Sequence, residues 1–242
     1  MITRHQFITA LFAAGALFIG SSALARPTLQ SLQNRVDNTY TKAEVDAILE
    51  GILPAAVPRT GQSTCYDTRG ALIKCPGTGQ DGDKLAGVAP PVPRFVDNGN
   101  GTVTDKLTGL IWLRNANCST ISPATWQTAV ANASNLENGQ CGLNDGSTAG
   151  QWRLPNVKEL QSLINYGFFS PALSNAVGDH KWTEGNAFSG VQSSFYWSSS
   201  SSVGNPGGAW FVYLDDGNVG TFGKADPFTF HAFYVWPVRG GQ

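Results

Sequence analysis

Four cysteines set the tightest limit on how this chain can fold. They are Cys65, Cys75, Cys118 and Cys141, and they follow a stretch with the marks of an export signal. Arg4 supplies a positive start, Phe7 to Ile19 is apolar apart from Thr9 and Gly15, and Ala23-Leu24-Ala25 reads as a cleavage site. The apolar run is short for a membrane anchor and ends in small residues. No Cys stands directly after Ala25, where a lipoprotein would need one. An even number of cysteines in an exported chain reads as disulfides. Four cysteines allow three pairings; the one local in sequence, Cys65–Cys75 with Cys118–Cys141, is the expectation. The spacings do not suit a zinc cage, and free catalytic thiols are the competing reading.

Composition narrows the class further. Of the 242 residues 41% are hydrophobic and only 14% charged, against roughly 25% charged in an average soluble domain. With seven Trp and 28 Gly, the chain reads as a loop-rich, aromatic-packed protein rather than a disordered one. A formal net charge of -1 disfavours generic nucleic-acid binding. No later stretch is long and apolar enough to span a bilayer, so no membrane span is expected after signal cleavage.

Four segments follow: residues 1–25 as signal peptide, 26–58 as an amphipathic helical piece, 59–93 as a small Cys-containing unit with a Pro-rich linker, and 94–242 as the main domain. In the second, Leu29, Leu32 and Val36 share a helical face, and Thr41 with Glu44 forms a capping box before Val45, Ile48, Leu49 and Ile52. Two short helices cannot bury their stripes alone. The run TYTKAEVDAIL resembles repeats found beside trimeric stalks, so a homotrimer is one expectation and a helix lying on the neighbouring domain the other. In the third segment, Asp67 to Gly70 separates two short strand-like pieces that Cys65–Cys75 would close into a hairpin. The main domain opens with turn dipeptides Asn98-Gly99, Asn100-Gly101 and Thr108-Gly109, which predict a meander over 94–97, 102–105 and 110–113. Ser122 as cap and Pro123 at the first turn predict a helix running to Asn138-Gly139. Asn156 with Glu159 caps a second helix, whose buried face is Val157, Leu160, Leu163 and Ile164. Beyond Gly167 the pattern turns to strands, with Asp216-Gly217 as a hairpin turn.

The run NGNGTVTDKLTGLIW, then TWQTAVANASNL, WRLPNVKELQSLI, YWSSS, AWFVYLDDGNV and YVWPVRGG, resembles the Lcl C-terminal domain family, also known as domain of unknown function 1566, over about residues 94–240. The resemblance implies an α+β, C-type-lectin-like domain related to the formylglycine-generating enzymes. It also implies a bacterial cell-surface adhesin that binds glycans, sulfated ones included. This chain lacks the Gly-X-Y stalk of such an adhesin, so the 26–58 segment would have to supply any oligomerisation.

Enzymatic chemistry is not expected. The related oxidases use a late Cys pair, and this chain has no Cys after Cys141. The related iron enzymes use three His, and only His180 and His231 follow the signal. No cofactor and no metal ligand set is expected. Asp97, Asn98, Asn100 and Asp105 suggest calcium, but do not meet the EF-hand spacing. Sugar recognition stacks an aromatic ring on a pyranose among amides and carboxylates. Lys181, Trp182, Asn186, Asn205, Asp215, Asp216 and Asn218 supply that chemistry. Trp182 and Asn186 are expected at the surface, while Trp197, Trp210 and Trp236 are expected in the core and Arg153 in a structural pair. The main domain carries eight Lys/Arg against ten Asp/Glu, and only folding could gather Lys181, Lys224 and Arg239 into a basic patch. The sequence therefore reads as a secreted or periplasmic, cell-surface binding module for a glycan or a surface protein. The alternative is an assembly subunit of an envelope or appendage complex.

Overall fold

The computed structural model describes residues 57–225 and 233–240. The expected signal peptide, the expected amphipathic segment up to Ala56, and His231 lie outside the described residues. The elements are β1 (Cys65–Tyr66), β2 (Leu72–Ile73), α1 (Asp81–Lys84), β3 (Phe95–Asp97), β4 (Thr102–Asp105), β5 (Ile111–Leu113), α2 (Trp126–Ser134), α3 (Val157–Gln161), β6 (Phe195–Ser201), β7 (Gly208–Tyr213), β8 (Val219–Gly223) and β9 (Val238–Arg239). Both disulfides form in the local pairing, Cys65–Cys75 and Cys118–Cys141.

Turn chemistry builds the first large sheet. Asp97 and Asn100 accept backbone N–H bonds inside the Asn-Gly turns, an Asx arrangement that reverses the chain. The Asp105 carboxylate does the same for the next turn, accepting from Leu107 N and the Thr108 hydroxyl. The meander β3-β4-β5 results, and β9 returns from the C-terminal end to pair antiparallel with β5. The second sheet is the antiparallel run β6-β7-β8. The small hairpin β1-β2 stands apart from both in sheet pairing.

The aromatic content predicted for the core is where the sheets meet. Trp236 packs edge-on to Trp112 at 5.6 Å and to Phe188 at 4.9 Å, and its indole N–H donates to the Leu113 carbonyl. Trp197 and Tyr196 of β6 are buried. Trp210 differs from expectation: it is only half-buried, although Val212 on the same face of β7 is fully buried. Arg94 and Asp105 form a buried bidentate ion pair, with the guanidinium also donating to the Ser162 carbonyl.

The helices are shorter than predicted. α2 starts at Trp126, with Thr125 in the N-cap position and no side-chain cap bond. Ser122 does not cap it, because its hydroxyl accepts from Val235 N in the closing segment. The helix ends at Ser134; Ala129 and Ala133 on it and Leu136 just beyond it are buried. At α3 the capping box forms in full: Glu159 N donates to the Asn156 side chain, and Asn156 N donates to the Glu159 carboxylate. Arg153 then grips Glu159 with two 2.7 Å bonds, the structural pair expected of it. Burial pushes the Glu159 carboxyl up, but the Arg153 fork and the Asn156 N–H outweigh it and hold the group below its ordinary value. The Pro-rich stretch does not leave the small unit free: Tyr166 N donates to the Thr60 carbonyl at 2.8 Å.

Candidate functional site

The predicted ligand residues divide into three sets. The first belongs to the core. Trp182 is 9% exposed, its indole N–H donates to the Phe188 carbonyl, and its backbone N–H donates to the Leu173 carbonyl. The expectation of a surface Trp182 is overturned. The reason is local pairing: Ser174 and Lys181 form an antiparallel bridge, and alternation along it turns Lys181 out and Trp182 in. Asn186 is half-buried, and its side-chain oxygen accepts from Ala176 N, so it closes a loop.

Asn205 is in the second set. It lies exposed in the β6–β7 turn, beside Lys224, whose ammonium donates to the Ser201 hydroxyl and the Pro206 carbonyl and lies 4.3 Å over the Trp126 ring. The pairing of Ser201 with Ala209 and of Ala209 with Phe222 fixes this end of the sheet. The β7–β8 turn is at the other end. At about 3.3 Å per residue, a strand the length of β7 separates the ends by about 20 Å, so Asn205 cannot share a small ligand with Asp216.

The third set gathers. Asp215, Asp216 and Asn218 form the β7–β8 turn, with Asn218 N donating to the Asp216 carboxylate. Ser170 N donates to the Asp215 carbonyl at 2.7 Å, which pins the 165–170 loop against the turn. Lys181 donates to the Ser170 carbonyl and lies 5.9 Å from the Phe169 ring centroid. Gly217 fits closely under the Tyr166 ring, since an added Cβ would be 2.9 Å from Tyr166 Cε1. The face thus presents two rings that the sequence reading did not select: Phe169, 73% exposed, and Tyr166, 41% exposed. No residue-type pattern marks Phe169, because it follows a turn closed by Phe168 N on the Asn165 carbonyl and not a strand.

Lys181, Lys224 and Arg239 do not form a basic patch. Lys181 is on the Phe169 face and Lys224 at the far end of the second sheet. Arg239 lies in the first sheet, paired with Asp145 and 5.0 Å over Trp152. In the suspected calcium turn, Asp97 pairs with Arg114 and Asp105 with Arg94. Among the described residues no group of three or more His, Cys, Asp or Glu is placed to hold a metal ion. His180 pairs with the exposed Asp179, and that contact, with the Asn175 side chain, lowers the Asp179 carboxyl below its ordinary value. Among the described residues no helix is long and apolar enough to cross a membrane. The two disulfides fit an oxidising compartment.

The chain belongs to the Lcl C-terminal domain family, whose sequence profile matches residues 101–239. The match starts within the β3–β4 turn, and the sheet pairing of β3 extends the folded unit back to Phe95. No curated protein and no solved structure matches the chain.

Proposed function

We propose that this member of the Lcl C-terminal domain family is an exported, non-catalytic binding module on a C-type-lectin-like scaffold, and that it recognises a glycan or a surface protein in the manner of an adhesin. The observation that carries the reading is Phe169. A phenyl ring 73% exposed on a loop held by backbone bonds at Ser170 and Tyr166 is costly to leave in water. It is also preorganised to stack. Lys181 lies 5.9 Å from its ring, and the turn that carries Asp216 and Asn218 is bonded to the same loop through Ser170 N; such polar groups can fix a sugar ring or a peptide. Self-association through residues 26–58 would multiply a weak site by avidity.

The test is binding of the mature chain, from Arg26 to Gln242, to a glycan array, with calcium and with chelator, beside Phe169→Ala. Saturable binding that Phe169→Ala reduces at least tenfold supports the lectin reading. Array silence, with surface-protein capture that Phe169→Ala abolishes, supports a protein ligand. Binding indifferent to Phe169→Ala refutes the assignment of this face. Light scattering on the same sample reads the oligomer, and a monomer at micromolar concentration removes the stalk. A chain cut at residue 94 is a poor control, because it removes the carbonyl that receives Tyr166 N.

A further inference from the structure

We infer that a cleft adjoining the candidate face at Tyr166 is a binding site for a small organic carboxylate with an apolar body. The cleft lies between the 57–61 strap and the α3 end of the main domain and has a volume of about 520 Å³, within the roughly 300–1,000 Å³ of small-ligand sites. Pro58, Pro90, Leu107, Ile164 and Tyr166 give it apolar walls. This inference does not rest on the Phe169 reading.

The polar lining is one-sided. Three of its polar side chains are nine-tenths buried or more: Arg94, Asn165 and Ser174. Each keeps hydrogen-bonding capacity that no described residue uses. Arg94 spends Nε and Nη2 on Asp105 and Ser162 and leaves Nη1. Asn165 accepts from Gly167 N through Oδ1 and leaves its amide N–H groups. The Ser174 hydroxyl, in a residue 1% exposed, has no partner among the described residues. Three spare donors around one cleft suit an acceptor-rich guest.

Charge selects the acceptor. Arg59 and Lys158 line the same cleft, and no Asp or Glu does. Of the nearby carboxylates, Asp105 is paired with Arg94, while Asp81 accepts from the Thr60 hydroxyl and keeps its charge outside the lining. An anion entering the cleft meets buried donors and two cationic side chains without an ion-pair partner among the described residues, Lys158 and Arg59, the latter donating through Nε to the Gly87 carbonyl; charge-assisted bonds are about twice as strong as neutral ones. The apolar walls reward a carbon body behind the head. A carboxylate on a short aliphatic chain or a single aromatic ring fits both requirements and the volume.

Calorimetry on the full mature chain tests this with octanoate and phenylacetate as probes. Octan-1-ol and 2-phenylethanol are matched uncharged controls, and acetate is the head alone. The expected result is saturable binding of at least one long carboxylate, with its alcohol and acetate about tenfold weaker or more. Ser174→Ala and the exposed-residue pair Arg59→Gln with Lys158→Gln each reduce carboxylate affinity severalfold and leave alcohol binding unchanged. The surface pair keeps the test sound if Ser174→Ala fails to fold. No carboxylate binding at millimolar concentration overturns the inference. So does equal affinity for acid and alcohol, and so does binding unmoved by the Arg59→Gln/Lys158→Gln pair.

Discussion

Two glycine-to-alanine exchanges separate backbone strain from crowding at the candidate face. Gly217 and Gly99 both sit at positive φ, +86° and +73°, in turns between strands. Alanine at either position meets the left-handed penalty of about 1–2 kcal/mol and gains a similar, smaller benefit from a less flexible unfolded chain. Their surroundings differ. A Cβ at Gly99 meets nothing within 4 Å, whereas a Cβ at Gly217 falls 2.6 Å from Ile164 Cγ2 and 2.9 Å from Tyr166 Cε1. Ile164 is a core residue and cannot yield freely, so crowding adds about 1–3 kcal/mol of overpacking. Gly99→Ala should therefore cost about 1 kcal/mol and Gly217→Ala about 2–4 kcal/mol, the excess being the clash. Urea unfolding of the mature chain, compared at a shared slope, measures the difference. A Gly217→Ala midpoint equal to that of Gly99→Ala would refute the close packing of the β7–β8 turn on Tyr166, and with it the rigidity claimed for this face.

The other expectations test the assignments one by one. Trp182→Ala should cost about 3–5 kcal/mol as a core truncation, while Phe169→Ala should change stability by less than about 0.5 kcal/mol; denaturant midpoints for the pair check which aromatic is structural. Replacing both Cys118 and Cys141 by Ser opens a loop of sequence separation 23 and should remove about 3 kcal/mol on the loop-entropy estimate, read as a lower thermal midpoint; an unchanged midpoint would mean that the β5–α2 region holds its loop without the bond. Glu159 should shape the acid limb of stability. Its folded carboxyl lies below the ordinary 4.5, so its contribution is present above that value and lost as pH falls through the folded one. Glu159→Gln should flatten the fall in stability below about pH 4.5, and an unaltered acid limb would show the Arg153 contact to be inert.

Features decided within a few residues were legible in the sequence. The Asn-Gly turns, the Asn156–Glu159 capping box and the two short disulfide loops each need only their own neighbourhood, and each formed as read. Features decided across the chain were not. Ser122 has the chemistry of a cap, but the Val235 N–H of the closing segment, 113 residues away, takes its hydroxyl, and α2 begins later. The same distinction governs the candidate site. The DDGN turn was found because turn chemistry is local. Its neighbours were not, because the loop that brings Tyr166 and Phe169 to it is held by backbone bonds to Thr60 and Asp215, which leave no mark on residue type. Trp182, expected at the surface, is buried because the polar–apolar–polar run Lys181-Trp182-Thr183 pairs like a half-buried strand. Aromatic count and loop length therefore do not locate a binding ring in such a domain. Which aromatic faces solvent follows from the backbone bonds of each short segment: the Ser174–Lys181 bridge turns Trp182 inward beside an outward Lys181, and the 165–170 loop, held at Tyr166 and Ser170, leaves Phe169 and Tyr166 as the rings this face presents.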